Sequence, residues 1–283
     1  MLAKAINCIK KRGYMYGIGF YDEYITRLRN LRDKPDLATP YKIAYLKKLI
    51  KNNEVYKFIS FQQNAETKLK TLKEGKIWFS FYKTLNDETE FQIDYRIKKI
   101  VNETGYKKGY IELIINYLTE MYDVFSLTYT YEEYMWDAYA SEGNGICVVY
   151  NVGNYDQLYP VEYCEKNTLD FTKMIINALK RKSFELSIIP WVVKNPYNET
   201  AKLDSTKEKE VRMLYCPYDL AEFNGGQIQY NIKERKAYKG IAKSYTDFEL
   251  SISRIIIGRK CTVEMRKEVI DYAESNDIQY SVI

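Results

Sequence analysis

The chain has 283 residues, 46% of them hydrophobic, enough to bury one substantial core without disulfide staples. Its net charge of +5 is mildly basic and well short of a dedicated nucleic-acid binder. There is no histidine, which excludes Ser-His-Asp and Cys-His nucleophiles, His-Glu-x-x-His zinc helices and two-His iron sites. Any chemistry must run on carboxylates, Lys, Arg, Tyr or a bound cofactor.

No run approaches the roughly 18 apolar residues that span a bilayer, and the N-terminus lacks the apolar core of a signal peptide. The five cysteines (Cys8, Cys147, Cys164, Cys216 and Cys261) are scattered without a Cys-x-x-Cys pair. That pattern predicts a reducing cytoplasm and no zinc site or disulfide framework. The 29 tyrosines offer amphipathic surface, suited to half-buried packing as well as to ligand stacking.

Residues 1–53 read as a helical N-terminal module. Tyr24, Ile25, Leu28 and Leu31 form one amphipathic stripe. Asp33-Lys34-Pro35 breaks it, and Thr39-Pro40 opens a second helix through Ile43, Leu46, Leu49 and Ile50. This module is expected to cover the main domain, with oligomerisation or partner binding as the alternative. Residues 54–283 read as one α+β domain, a mixed β-sheet core with flanking helices.

That domain begins with a strand over Glu54 to Phe61. A helix capped by Asn64 and closed by Gly75 follows, then a strand over Lys76 to Tyr82. A polar loop from Lys83 to Glu90 carries Asn86 and Asp87. It could line a small-molecule site at a strand end, or simply be a turn bonding its own backbone. A helix is predicted over Tyr106 to Tyr122.

Tyr131 to Asn151 is the organising stretch. Thr130 and Glu133 form a capping box for a helix from Tyr131 to Ala140, with Met135, Trp136 and Tyr139 on one face. Gly143-Asn144-Gly145 turns the chain into an apolar strand from Ile146 to Tyr150. Another helix spans Thr168 to Phe184. Pro190 demotes the apolar run from Ile188 to Val193 to an edge strand, and residues 194–206 read as a flap-like loop.

Glu208, Glu210 and Arg212 are the chemical candidates, projecting to one face if the segment is a strand. The guanidinium would lower the carboxylate pKa values. The alternative is structural, with Ser205-x-x-Glu208 as a capping box and Glu210–Arg212 as a strand-surface ion pair. Asn224-Gly225-Gly226 marks a hairpin, and Ile252 to Gly258, Thr262 to Glu274 and Ile278 to Ile283 form a closing strand–helix–strand.

Several pieces resemble, in order, the bacterial family called domain of unknown function 2971. They are Val55-Tyr56-Lys57-Phe58, Lys76-Ile77-Trp78-Phe79-Ser80, Leu85-Asn86-Asp87, Met135-Trp136 to Tyr139-Ala140, Val161-Glu162-Tyr163, Glu208 to Arg212, and Ile255-Ile256-Ile257-Gly258. Glu88 stands where that family usually has proline. The Glu-x-Glu at Glu208 and Glu210 also resembles the catalytic strand of arginine-type ADP-ribosyltransferases. That likeness implies NAD as substrate, with Glu210 on the nicotinamide ribose and Glu208 on the acceptor. Lys57 would sit on the pyrophosphate, where those enzymes carry arginine. Ser80 would form the site floor, and Tyr56 or Trp78 the nicotinamide pocket, with Asn86 and Asp87 beside it. It further implies a cytoplasmic toxin or phage-defence effector acting on a protein or nucleic-acid acceptor.

Two other function classes compete. Lys180-Arg181-Lys182-Ser183-Phe184 and Lys233 to Lys239 interleave basic and aromatic residues, as a nucleic-acid-binding module would. Asp87, Glu90, Glu208 and Glu210 supply the oxygen ligands of a metal-dependent nuclease. A non-catalytic interaction protein is the third alternative, whereas the ADP-ribosyltransferase reading requires no metal.

Overall fold

The computed structural model describes residues 27, 31, 35–85, 94–163, 170–181, 193–194, 197–198, 203–215 and 239–283. The N-terminal stripe around Tyr24 to Leu28, the loop with Asn86, Asp87 and Glu90, Pro190, the Asn224-Gly225-Gly226 hairpin and the basic segment from Lys233 to Tyr238 lie outside the described residues.

The α+β class holds, with helices flanking a mixed sheet. Helix α1 (Pro35–Leu49) leads into β1 (Glu54–Ser60), α2 (Ala65–Lys73) and β2 (Lys76–Phe81). Then come α3 (Ile97–Thr104), α4 (Lys108–Met121), β3 (Asp123–Thr128), α5 (Tyr134–Tyr139) and β4 (Gly145–Val152). The next elements are β5 (Leu158–Pro160), β6 (Glu162–Tyr163), α6 (Thr172–Arg181), β7 (Val193–Lys194), β8 (Tyr197–Asn198), β9 (Leu203–Asp204) and β10 (Glu210–Tyr215). Strands β11 (Gly240–Ser244) and β12 (Leu250–Ile257), helix α7 (Val263–Ser275) and β13 (Gln279–Val282) close the chain.

One nine-stranded sheet runs β11-β2-β3-β1-β4-β12-β13, and β10 pairs with both β3 and β5. Its pairings are antiparallel except β12 with β13, the parallel pair that the crossover helix α7 makes possible. Thr262 caps α7 by accepting from Met265 N.

The sheet forks at β3. One edge of β3 carries β10 along its whole length. The other edge is shared: β1 meets it only at Tyr56↔Thr128, and β2 only at Ser80↔Val124 and Phe81↔Asp123. Between those two contacts the strands diverge, and the middle of β3 has no ladder partner on that side.

Each face carries its own core. On one, Val55, Phe79, Phe125, Val148, Val211 and Ile255 pack under α2, α7 and the end of α1. On the other, Val124 and Leu214 join α3, α4 and α6, while Phe58, Cys147, Val149 and Ile256 receive Met135 and Trp136 of α5. Ala38 and Tyr45 of α1 enter one core and Leu46, with Ile50 just past the helix end, enters another, so this helix packs into the domain that follows it.

Local sequence signals were overridden at three places. Helix α1 starts at Pro35 and carries Pro40 inside it, rather than opening at Thr39-Pro40. Proline at the first helical position lacks only an N–H that the helix would leave unpaired anyway. Helix α5 starts at Tyr134, without a Thr130 cap. Tyr129 N donates to Lys209 O at 3.0 Å, extending the β3–β10 ladder and keeping the chain out of the helix until beyond Thr130. The Asn64 side chain does not cap α2, whereas Gly75, at φ 69°, follows it as expected.

Candidate functional site

The two apolar clusters on the second sheet face leave a polar strip between them, occupied by charged side chains. The register places Glu210 opposite Thr128 and Arg212 opposite Ser126, with Leu214 and Val124 next along the same face. Glu210 is 5% exposed and Arg212 1%. Arg212 Nε donates to Glu210 Oε1 at 2.8 Å and its terminal nitrogen to Oε2 at 3.1 Å, a bidentate clamp. These two residues are therefore a buried pair, not the strand-surface ion pair of the structural alternative.

Glu208 is not in the strand. It ends a 3₁₀ turn, Ser205–Glu208, and Lys209 at φ 46° swings the chain from that turn into β10. The carboxylate returns to the cluster all the same. Its Oε2 accepts from Lys194 Nζ at 2.8 Å and its Oε1 from the Tyr139 hydroxyl at 2.6 Å. Lys194 Nζ also lies 3.6 Å from Glu210 Oε2, so one buried ammonium serves both carboxylates. Ser205, the expected cap, is itself the first residue of the turn, and both Glu208 oxygens are bonded to these partners.

The backbone fixes this arrangement. Glu210 N donates to the Tyr163 hydroxyl at 3.0 Å and Val161 N to Glu210 O at 3.0 Å. Lys194 is carried by β7, whose parallel pairing with β6 sets Tyr163 opposite Lys194.

Environment drives the two acids apart. For Glu208, burial and the neighbouring Glu210 raise the pKa against the pull of Lys194 and Tyr139. For Glu210, burial opposes ionisation too, but Arg212, Lys194 and the Ser126 hydroxyl outweigh it and hold the carboxyl well below its usual range. One carboxylate stays ionised, and the other is set closer to neutrality.

Lys57 fills the fork. Its ammonium donates to Ser126 O at 2.9 Å and lies 5.1 Å from the Phe125 ring centroid. A side-chain donor thus replaces the ladder bond that β3 lacks there. Burial, opposed by Glu210 and reinforced by Lys68, brings its pKa down to about 8 from the ordinary 10.5. Between those values the folded chain binds fewer protons than the unfolded one, so stability rises with pH across the window. Lys57→Met is expected to flatten that rise in urea unfolding measured from pH 8 to 10.5. An unchanged slope would show that Lys57 does not titrate there.

Of the other predicted residues, Tyr56, Trp78 and Ser80 share the face of Glu210 and Arg212 through the Tyr56↔Thr128 and Ser80↔Val124 registers. Trp78 is 46% exposed, and Tyr56 donates to Glu54 and stacks edge-on with Tyr131. Asn86 and Asp87 lie outside the described residues, as does Glu90. Among the described residues, no three Asp, Glu or Cys side chains are grouped to hold a metal ion.

Lys194, Ser126 and Tyr139 are the partners that sequence reasoning missed. Lys194 looked like the first residue of a loop, and nothing local marks it. Tyr139 shares its predicted helical face with Met135 and Trp136, but it is 39% exposed while those two are buried.

Compared with protein-family models, with curated proteins and with solved structures, the chain matches none of them.

Proposed function

We propose that this chain cleaves the nicotinamide–ribose bond of NAD, passing the ADP-ribosyl group to water or to a macromolecular acceptor. The observation that supports this reading best is the buried pair Glu208 and Glu210, bridged by Lys194 and driven apart in proton affinity. Two carboxylates with opposed shifts suit glycosidic chemistry, where one stabilises positive charge and the other moves a proton.

Glu210, clamped ionised, would face the cationic ribose carbon as the carbon–nitrogen bond breaks. Nicotinamide leaves with that bonding pair as a neutral ring. Water or an acceptor hydroxyl then attacks the same carbon, and its proton passes to Glu208. No imidazole is needed at any step. Trp78 and Ser80, on the same sheet face, would hold the dinucleotide. Lys57, committed to Ser126 O, would act on Glu210 through its charge, in place of the pyrophosphate contact expected of it.

A cytoplasmic effector of the toxin or phage-defence kind fits this chemistry and the scattered thiols, of which Cys147 and Cys261 are buried and free. No helix among the described residues is long and apolar enough to cross a membrane.

The test is nicotinamide release from NAD by the purified chain, alone and with candidate protein or nucleic-acid acceptors. Release that disappears in Glu210→Gln, with the variant's fold verified by circular dichroism, is the expected result. Release unchanged in that variant would falsify the assignment.

A further inference from the structure

We infer that Tyr139 is a positioning residue that orients the Glu208 carboxylate and sets its proton affinity, held in place by the strained turn that follows it. This rests on reading Glu208 as the proton-moving group of the site.

Glu208 is gripped from two sides, by Lys194 on one oxygen and Tyr139 on the other. Lys194 divides its charge between two carboxylates. The contact from Tyr139 goes to the oxygen of Glu208 that Lys194 leaves, so the two donors together select one orientation of that carboxylate. Burial and the charge of Glu208 raise the phenol well above the ordinary tyrosine value, so it stays a donor. Among the described residues, the other charged groups in the cluster are Lys194 from β7 and Glu210 and Arg212 from β10.

The support for this contact is costly to build, which is the second observation. Ser141, Glu142 and Gly143 follow α5 at φ 48°, 56° and 95°, three successive left-handed residues. Two of these carry side chains, whose Cβ atoms make that backbone region strained. The turn is locked from outside. Ser141 Oγ donates to Gln62 at 3.1 Å, Lys260 Nζ to Glu142 at 2.6 Å and Lys260 N to Gly143 O at 3.0 Å. On the far side Gly258 lies so close that a Cβ there would sit 2.2 Å from Gly143 O. Met135 and Trp136 anchor the front of the same short helix in the core. A half-exposed tyrosine on a surface helix needs none of this to pack, but a hydroxyl that must meet one carboxylate oxygen does.

The experiment is a carbon-detected NMR titration of glutamate carboxyls in the full chain and in Tyr139→Phe, beside the pH profile of nicotinamide release. Removing a donor to the charged form should raise the Glu208 midpoint by about one pH unit, tenfold in proton affinity. The acid limb of release should move the same way, with KM for NAD unchanged. A Glu208 midpoint that stays put overturns the inference. Should Tyr139→Phe fail to fold, Glu208→Gln reads the contact from the other end. The Tyr139 phenol should then titrate closer to ordinary tyrosine, and an unmoved phenol also overturns it. Neither midpoint requires turnover, so a chain inert towards NAD would sink the glycosidic reading while leaving this inference to be decided by the titration.

Discussion

Arg212→Met is expected to cost about 3–5 kcal/mol of folding stability. The guanidinium is 1% exposed and makes two short bonds to Glu210, itself 5% exposed. Methionine fills similar volume but leaves Glu210 with Lys194, 3.6 Å away, as its remaining ionic partner. A buried carboxylate stripped of its clamp must either stay charged in a poor medium or take up a proton, and both weaken the fold.

The sign of the pH dependence follows. The native pKa of Glu210 is depressed, so its contribution is present above the unfolded carboxylate value of 4.5 and is lost as pH falls towards the native value. Arg212→Met should shrink that acid-side loss as well as the stability at neutral pH. Urea unfolding across the acid range measures both. The double variant Glu210→Leu with Arg212→Met should regain most of the deficit, because neither charge is then stranded. If Arg212→Met alone were as stable as the unmodified chain, the clamp would not exist in solution.

Glu208→Gln should behave in the opposite way. Its native pKa is raised, so above pH 4.5 the ionised side chain costs stability instead of adding it. Glutamine keeps an acceptor for Tyr139 and sheds the buried charge. The variant is therefore expected to melt at or above the temperature of the unmodified chain at neutral pH, and its advantage should vanish in acid. Nicotinamide release, by contrast, should drop about 10²–10⁴-fold, the usual weight of a positioned proton-transfer group. A stable but inactive variant would mark Glu208 as a group retained for chemistry at the fold's expense. A variant both less stable and fully active would instead make the Lys194–Glu208 contact a structural tie.

The comparison between sequence and structure divides by the range of the physics involved. Alternation located β1 and an unbroken apolar run located β4, the closing strand–helix–strand was readable, and Gly75 ended α2 as its missing Cβ allows. These features are set by contacts within a few residues. Where a distant partner competed, local reading failed: Thr130 cannot cap α5 while Tyr129 is drawn onto the ladder by Lys209.

The same division runs through the candidate site. The absence of histidine and the Glu208–Glu210–Arg212 pattern, both properties of composition and spacing, pointed to carboxylate chemistry on β10. Which carboxylate stays charged was decided only in three dimensions. Arg212 is two residues from Glu210, but Lys194 reaches Glu208 from β7 and Tyr139 reaches it from across 69 positions of chain. Proton affinity depends on burial and on charges within a few ångströms, and those distances come into being only when the sheet forks at β3 and the helices close over it.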